Sequence, residues 1–167
     1  LQNCPEAHIK VAGISVLGVN GIKSRIKIPA YGKYLRRLIL KNRLEGKVRV
    51  LGNLSAEEMK REYLSAQIFV CPSAVENSPN SVAEGQLLGV PVAASRTGGI
   101  PDVVKDGVSG LLFEKGNMHE LAACVSRILT DKQLAKELSA SERETAAKLY
   151  NGENNYQKLI EIYQSIE

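Results

Sequence analysis

The chain has 167 residues, enough for one domain with a packed core, and its 44% hydrophobic and 24% charged residues are ordinary for a globular protein. No apolar run approaches the length of a membrane span, and no secretory leader is visible at Leu1, where the abrupt start reads as a piece of something longer. Three scattered cysteines (Cys4, Cys71, Cys124) and two histidines (His8, His119) give no disulfide framework, no metal spacing and no triad, so a cytoplasmic setting is expected.

In chain order the pattern alternates strand and helix. Residues 8–13 read as a strand ending at Gly13, and residues 20–30 as a long basic loop. Tyr31, Tyr34, Leu35, Leu38 and Ile39 mark the apolar face of an amphipathic helix, with Gly46 as its stop. The net charge of +4 is concentrated here: Lys23, Arg25, Lys27, Lys33, Arg36, Arg37, Lys41, Arg43, Lys47 and Arg49 are accompanied only by Glu45. The run reads as a solvated helix face plus a loop, or as a basic face for an anionic substrate or for peripheral contact with the inner face of a membrane. Nucleic acid is not expected as a partner, because the basic residues lack interleaved aromatics.

Residues 48–52 form a second expected strand. Ser55 and Glu58 have the form of a capping box, opening a helix to about residue 66. Ile68 to Cys71 reads as a short buried strand, and residues 90–94 as another, buried on both faces. Between them a helix is expected to begin near residues 79–81 and to stop at Gly89. After the second buried strand, Thr97-Gly-Gly-Ile-Pro-Asp leads into a further helix with Pro101 in its first turn. Residues 106–110 contain turns, 111–113 a last strand, and Asn117 with Glu120 a helix start. The remainder to residue 166 is helical, interrupted at Asn151-Gly152. Repeated βα alternation predicts an α/β fold with a doubly wound, Rossmann-like parallel sheet and a helical C-terminal tail.

The chemistry concentrates in Glu76-Asn-Ser-Pro-Asn-Ser-Val-Ala-Glu84. The two carboxylates stand at a strand-to-helix switch, where ligand sites of open α/β sheets lie. Helical spacing separates them by at most ~12 Å. A helix amino end between them suits a phosphate, while ionised carboxylates accept hydrogen bonds from hydroxyls. That combination fits a ligand with hydroxyls at both ends and a diphosphate between, as in a nucleotide sugar. Thr97, Gly98 and Gly99 form a second turn that can cradle an oxyanion, and Gly13 and Gly52 end strands on the same side. Neither a dinucleotide fingerprint nor a lysine phosphate loop is present.

The ordered set Val48-Arg-Val-Leu-Gly, Phe69-Val-Cys-Pro-Ser, Glu76-x7-Glu84, Gly89-Val-Pro-Val-Ala, Thr97-Gly-Gly-Ile-Pro-Asp and Gly107-Val-Ser-Gly-Leu-Leu-Phe resembles the retaining glycosyltransferases of group 1 (family 4). It is similar to their C-terminal, donor-binding domain, one half of a GT-B fold. The resemblance implies a nucleotide-sugar-binding domain over residues 1–130, lacking its first strand, and helices over 131–167 that return to an N-terminal acceptor domain. It implies that Glu76 supports catalysis at the transferred sugar and that Glu84 binds the nucleoside ribose. Asn77, Ser78, Pro79, Asn80 and Ser81 would contact donor sugar and phosphate. Leu51, Gly52 and Asn53 would line the base pocket, with Gly13, Thr97, Gly98 and Gly99 near the donor.

The implied reaction moves a sugar to a hydroxyl with retention, through an oxocarbenium-like state, without a cofactor or an essential metal. Two departures from the family pattern are expected to weaken donor binding. The family's basic pair after the first strand is not here, and Asp102 stands where Glu is more common. Tyr150, Tyr156, Ile160 and Tyr163 in the tail are expected to be exposed. A GT-B sugar-nucleotide epimerase, disfavoured by the scarcity of histidine, and a non-catalytic nucleotide-sugar module remain as alternatives.

Overall fold

The computed structural model describes residues 4–13 and 30–166 and divides the chain into two compact units, Leu1–Arg61 and Glu62–Glu167. Of the basic loop expected over residues 20–30, residues 20–29 lie outside the described residues, and Ala30 instead opens the first helix.

The first unit contains β1 (Ile9–Ala12), α1 (Ala30–Lys41), β2 (Val48–Gly52) and the start of α2 (Ala56–Ser65). β1 and β2 pair in parallel from Ile9 opposite Val48 to Ala12 opposite Gly52, with an irregularity after Val11. Leu35, Leu38 and Ile39 of α1 are half-buried, as an amphipathic helix requires, whereas Tyr34 is exposed. The helix does not run on to the expected stop at Gly46. It ends at Lys41, because Arg43 takes a left-handed backbone (φ 55) and the Leu44 N–H reaches back to the Ile39 carbonyl. That is a Schellman closure with arginine where glycine is usual. At α2 the capping box forms: the Ser55 N–H donates to Glu58 Oε2 (2.8 Å) and the Glu58 N–H to Ser55 Oγ (3.4 Å).

The second unit follows α2 with β3 (Phe69–Cys71), α3 (Asn80–Leu87), β4 (Val92–Ser95), α4 (Ile100–Val103), β5 (Leu111–Phe113), α5 (Met118–Thr130), α6 (Lys132–Leu149) and α7 (Gly152–Gln164). Its three strands form one parallel sheet in the order β3-β4-β5. All four residues of the central strand β4 are buried. Alternation splits them between two cores. Val92 and Ala94 join Val82 of α3 and Ile100 and Val104 around α4 on one face. Ala93 joins Ile128 of α5 and Leu138 of α6 on the other. Helices on both faces make this unit doubly wound.

Three side chains of α6 clamp the connection from α3 to β4. Ser139 Oγ donates to the Gly89 carbonyl (2.6 Å), Arg143 Nη2 to the Leu88 carbonyl (3.2 Å), and the Val92 N–H donates to Glu142 Oε1 (2.8 Å). Gly89 sits at φ 68, and a Cβ there would meet the Arg143 guanidinium at 2.7 Å. The carboxyl end of α3 is therefore pinned, which fixes where its amino end points. Glu142 is fully buried, and burial pushes its carboxyl up to about 8 against the opposing pull of the Val92 N–H. On the other side, buried Gln86 of α3 donates through Nε2 to the Val103 and Ser109 carbonyls, tying α3 to the turn before β5.

Candidate functional site

The carboxyl ends of β3, β4 and β5 lie side by side, and the loops leaving them build an open cleft of about 590 Å³. Ala74, Val75 and Glu76 contribute from the loop after β3, Arg96, Thr97 and Gly98 from the loop after β4, and Glu114 and Lys115 from the end of β5. Crevices at this edge are where open parallel sheets bind ligands.

Glu76 is half-buried, and its Oε2 accepts a hydrogen bond from Ser73 Oγ (3.2 Å). The Ser73 carbonyl accepts from the buried Ser95 Oγ at the end of β4 (2.6 Å). The glutamate is thus held through one intermediary to the central strand. The two glycines after Thr97 complete its support. A Cβ on Gly98 would collide with the Glu76 carbonyl, and one on Gly99 with the Asn77 carbonyl. Gly98 also has a left-handed backbone, φ 52. The pair that reads in sequence as an anion cradle therefore has an internal reason as well: only glycine lets the two loops touch.

α3 begins at Asn80, with Pro79 as its cap residue and no side-chain cap. The Val82 and Ala83 N–H groups turn to the Pro79 carbonyl, and the Asn80 N–H to the Ser78 carbonyl. Asn77, Ser78 and Asn80 are exposed, Ser81 is half-buried and Pro79 is buried. Glu84 is the fifth residue of the helix and is exposed. It does not line the cleft that contains Glu76. Asp102, exposed in α4, donates its N–H to the Gly99 carbonyl (3.3 Å).

Gly13, Leu51, Gly52 and Asn53 belong to the first unit, at the carboxyl ends of its parallel strands. The Gly13 N–H donates to the Gly52 carbonyl (2.8 Å), and both glycines have positive φ (115 and 73). Nothing crowds either position, so the backbone angle alone calls for glycine there.

Sequence reasoning missed three features. Arg96 joins the exits of β4 and β5, pairing with Asp106 and Glu114 at 3.0 Å each, while Asp106 Oδ1 accepts the Leu112 N–H (2.8 Å). Its position directly before Thr97 was the available signal. Lys115 adds a second cation to the cleft. Tyr63 of α2 is buried and donates its hydroxyl to the Ser81 carbonyl (2.9 Å). Burial first, then the neighbouring Glu84 carboxylate, holds this phenol well above the usual tyrosine range. Among the described residues, no group of three or more His, Cys, Asp or Glu side chains is gathered as for a metal ion. No described helix is long and apolar enough to cross a membrane.

The family model for glycosyl transferases group 1 matches residues 2–145. An uncharacterised glycosyltransferase of Methanocaldococcus jannaschii is 26% identical over 165 residues, covering 96% of this chain and 46% of that protein. A D-inositol 3-phosphate glycosyltransferase of Corynebacterium urealyticum is 32% identical over 119 residues, covering 71% and 28%. The chain thus spans less than half the length of these curated relatives. Among solved structures, HepE of Anabaena in complex with UDP shares the fold at a TM-score of 0.82 and 23% identity, covering 96% of this chain and 42% of that one.

Proposed function

The chain belongs to the group 1 glycosyltransferase family, and we propose that it is the donor-binding half of a retaining, metal-independent enzyme that moves a sugar from a nucleotide sugar to a hydroxyl acceptor. The observation that carries this reading is the edge where Glu76 is held in a cleft while the adjoining α3 starts without a side-chain cap. A diphosphate at that helix end gains from the helix dipole as charge develops on the leaving group. In this reading Glu76, which accepts a hydrogen bond from Ser73, accepts hydrogen bonds from the transferred sugar and serves as a stabiliser rather than a covalent nucleophile. Glu84 takes the ribose, and residues 77–81 lie along the path between them. Leu51, Gly52 and Asn53 are the base-side residues of this reading, and Gly13 of the first unit and Thr97, Gly98 and Gly99 of the second are its remaining donor-binding residues.

The acceptor belongs to a second domain in this account. Tyr156 and Tyr163 of α7 are 57% and 63% exposed, and Leu159 and Ile162 are exposed beside them, an apolar face suited to that domain. Tyr150 and Ile160, by contrast, are half-buried. The exposed Lys33, Arg36, Arg37 and Lys41 of α1 suit peripheral contact with an anionic membrane at its cytoplasmic face.

HepE was solved with UDP-glucose as well as UDP, which makes UDP-glucose the first donor to try. Titrating UDP-, GDP- and ADP-sugars in EDTA, followed by amide NMR, tests the reading. One donor should shift residues 76–84 selectively. Glu84→Ala should weaken nucleoside diphosphate itself, whereas Glu76→Ala should spare it and lose the discrimination among sugars. Silence from every donor at millimolar concentration points instead to a module that binds no nucleotide sugar.

A further inference from the structure

We infer that Ser73 is a positioning residue for the donor sugar: its hydroxyl holds the Glu76 carboxylate in one orientation in the cleft, and Ser95 holds Ser73 in place to do so. The inference rests on the assignment of Glu76 to the transferred sugar. The backbone at Glu76 is already fixed, because its carbonyl fills the space that a side chain on Gly98 would need. A glutamate side chain still turns about several bonds beyond that backbone. Among the described residues its carboxylate has one hydrogen-bond partner, the Ser73 hydroxyl on Oε2 (3.2 Å). Oε1 stays open for a ligand hydroxyl.

A hydroxyl can aim another group only if it is itself held. The Ser73 carbonyl accepts from Ser95 Oγ (2.6 Å), and Ser95 is buried at the end of β4, opposite Phe113 of β5. The Ser73 hydroxyl has a single proton to give. It goes to the carboxylate, so the contact with the buried Cys71 Sγ (3.5 Å) runs from thiol to hydroxyl. Cys71 is the last residue of β3. Ser73 is therefore tied to two neighbouring strands, to β3 through the thiol and to β4 through Ser95. Groups one step removed from a ligand fix the orientation of the residues that touch it.

The test measures dissociation constants by calorimetry on the whole chain for UDP, GDP and ADP, each free and carrying glucose, galactose or mannose. For the base that binds, the spread among the three sugars is the discrimination. Glu76→Ala should abolish it. Ser73→Ala should reduce it by about three- to tenfold, the scale of one hydrogen bond, while the free diphosphate binds as before. Ser73→Thr keeps a hydroxyl on the same carbon and should restore it. In the Glu76→Ala background Ser73→Ala should change no donor affinity further, because residues that act through one another are not additive. A loosened loop would show its loss in both backgrounds. A second measurement needs no ligand: three-bond couplings across χ1 of Glu76 should report one rotamer in the unsubstituted protein and an average in Ser73→Ala. If the unsubstituted chain does not tell the sugars apart, or Glu76→Ala keeps the discrimination, the Glu76 assignment falls and takes this inference with it. If Glu76→Ala removes the discrimination while Ser73→Ala retains it, if Ser73→Ala costs as much without Glu76, or if the Glu76 rotamer ignores Ser73, the inference alone is overturned.

Discussion

Gly98 has no room for a side chain, and the reason lies in another loop. Its Cβ would occupy the space of the Glu76 carbonyl, and its φ of 52 already disfavours any L residue. Gly107 is a control: its φ is 74, yet nothing lies within reach of an added Cβ. Gly107→Ala should cost only about 1 kcal/mol, the conformational penalty alone. Gly98→Ala should cost about 2–4 kcal/mol, because a loop must also move, and it should weaken donor binding since Glu76 moves with it. Urea denaturation of both variants checks this; equal midpoints would remove the loop contact from the account. Arg43 offers the opposite experiment. Arg43→Gly should stabilise by about 1 kcal/mol, because glycine adopts the left-handed closure without strain. Glycines 98 and 99 were visible in the sequence as a loop before a helix. What they touch was not, since Glu76 is 22 residues away and no periodicity encodes that approach. Arg43 was hidden for a different reason: its composition reads as helix, and Gly46 nearby was the better-looking stop.

Elements are placed by partners distant in the chain, and α6 is the clearest case. Its Ser139, Glu142 and Arg143 share one face and grip the α3–β4 connection about 50 residues earlier. In sequence a glutamate in a polar helix reads as solvent-facing, so Glu142 gave no sign of its burial. The buried run of β4 and the caps at Ser55 and Asn117 were legible, because local pattern and local hydrogen bonds decide them. Glu142 also makes stability depend on pH. Its carboxyl is raised to about 8 in the folded chain from an ordinary 4.5, so the folded state holds this proton more tightly than the unfolded state. The contribution is fully present below about pH 4.5 and declines as pH rises through 8. The decline should be on the order of 3–5 kcal/mol. Glu142→Gln carries no titrating proton and should flatten that part of the profile. Thermal unfolding of both proteins at pH 5 and pH 8 measures the difference; parallel profiles would show that Glu142 titrates normally. α7 contrasts with α6, since none of its residues is buried. Replacing Tyr156 and Tyr163 by serine should change stability by less than about 0.5 kcal/mol, and a large loss would show that their exposed face is already committed within this chain.

At the scale of the whole molecule, the cleft lies where the carboxyl ends of β3, β4 and β5 meet. Strand and helix alternation announced the parallel fold with helices on both faces, and the spacing of Glu76 and Glu84 is the basis of the proposed site. The rest of the cleft came from side chains that no local pattern distinguishes: Arg96, Glu114 and Lys115 meet only because β4 and β5 are neighbours. The same sheet order places Ser95 to hold Ser73, and through it Glu76. The central claim is that a pyrophosphate rests at the amino end of α3 between the two glutamates. Amide NMR titration with UDP-glucose, GDP-glucose and ADP-glucose tests it most directly. The account predicts that one of them shifts Ser78, Asn80 and Ser81 together, an effect retained with the nucleoside diphosphate alone and weakened by Glu84→Ala. Shifts that cluster elsewhere, or that leave those three amides unmoved while a donor demonstrably binds, would contradict it.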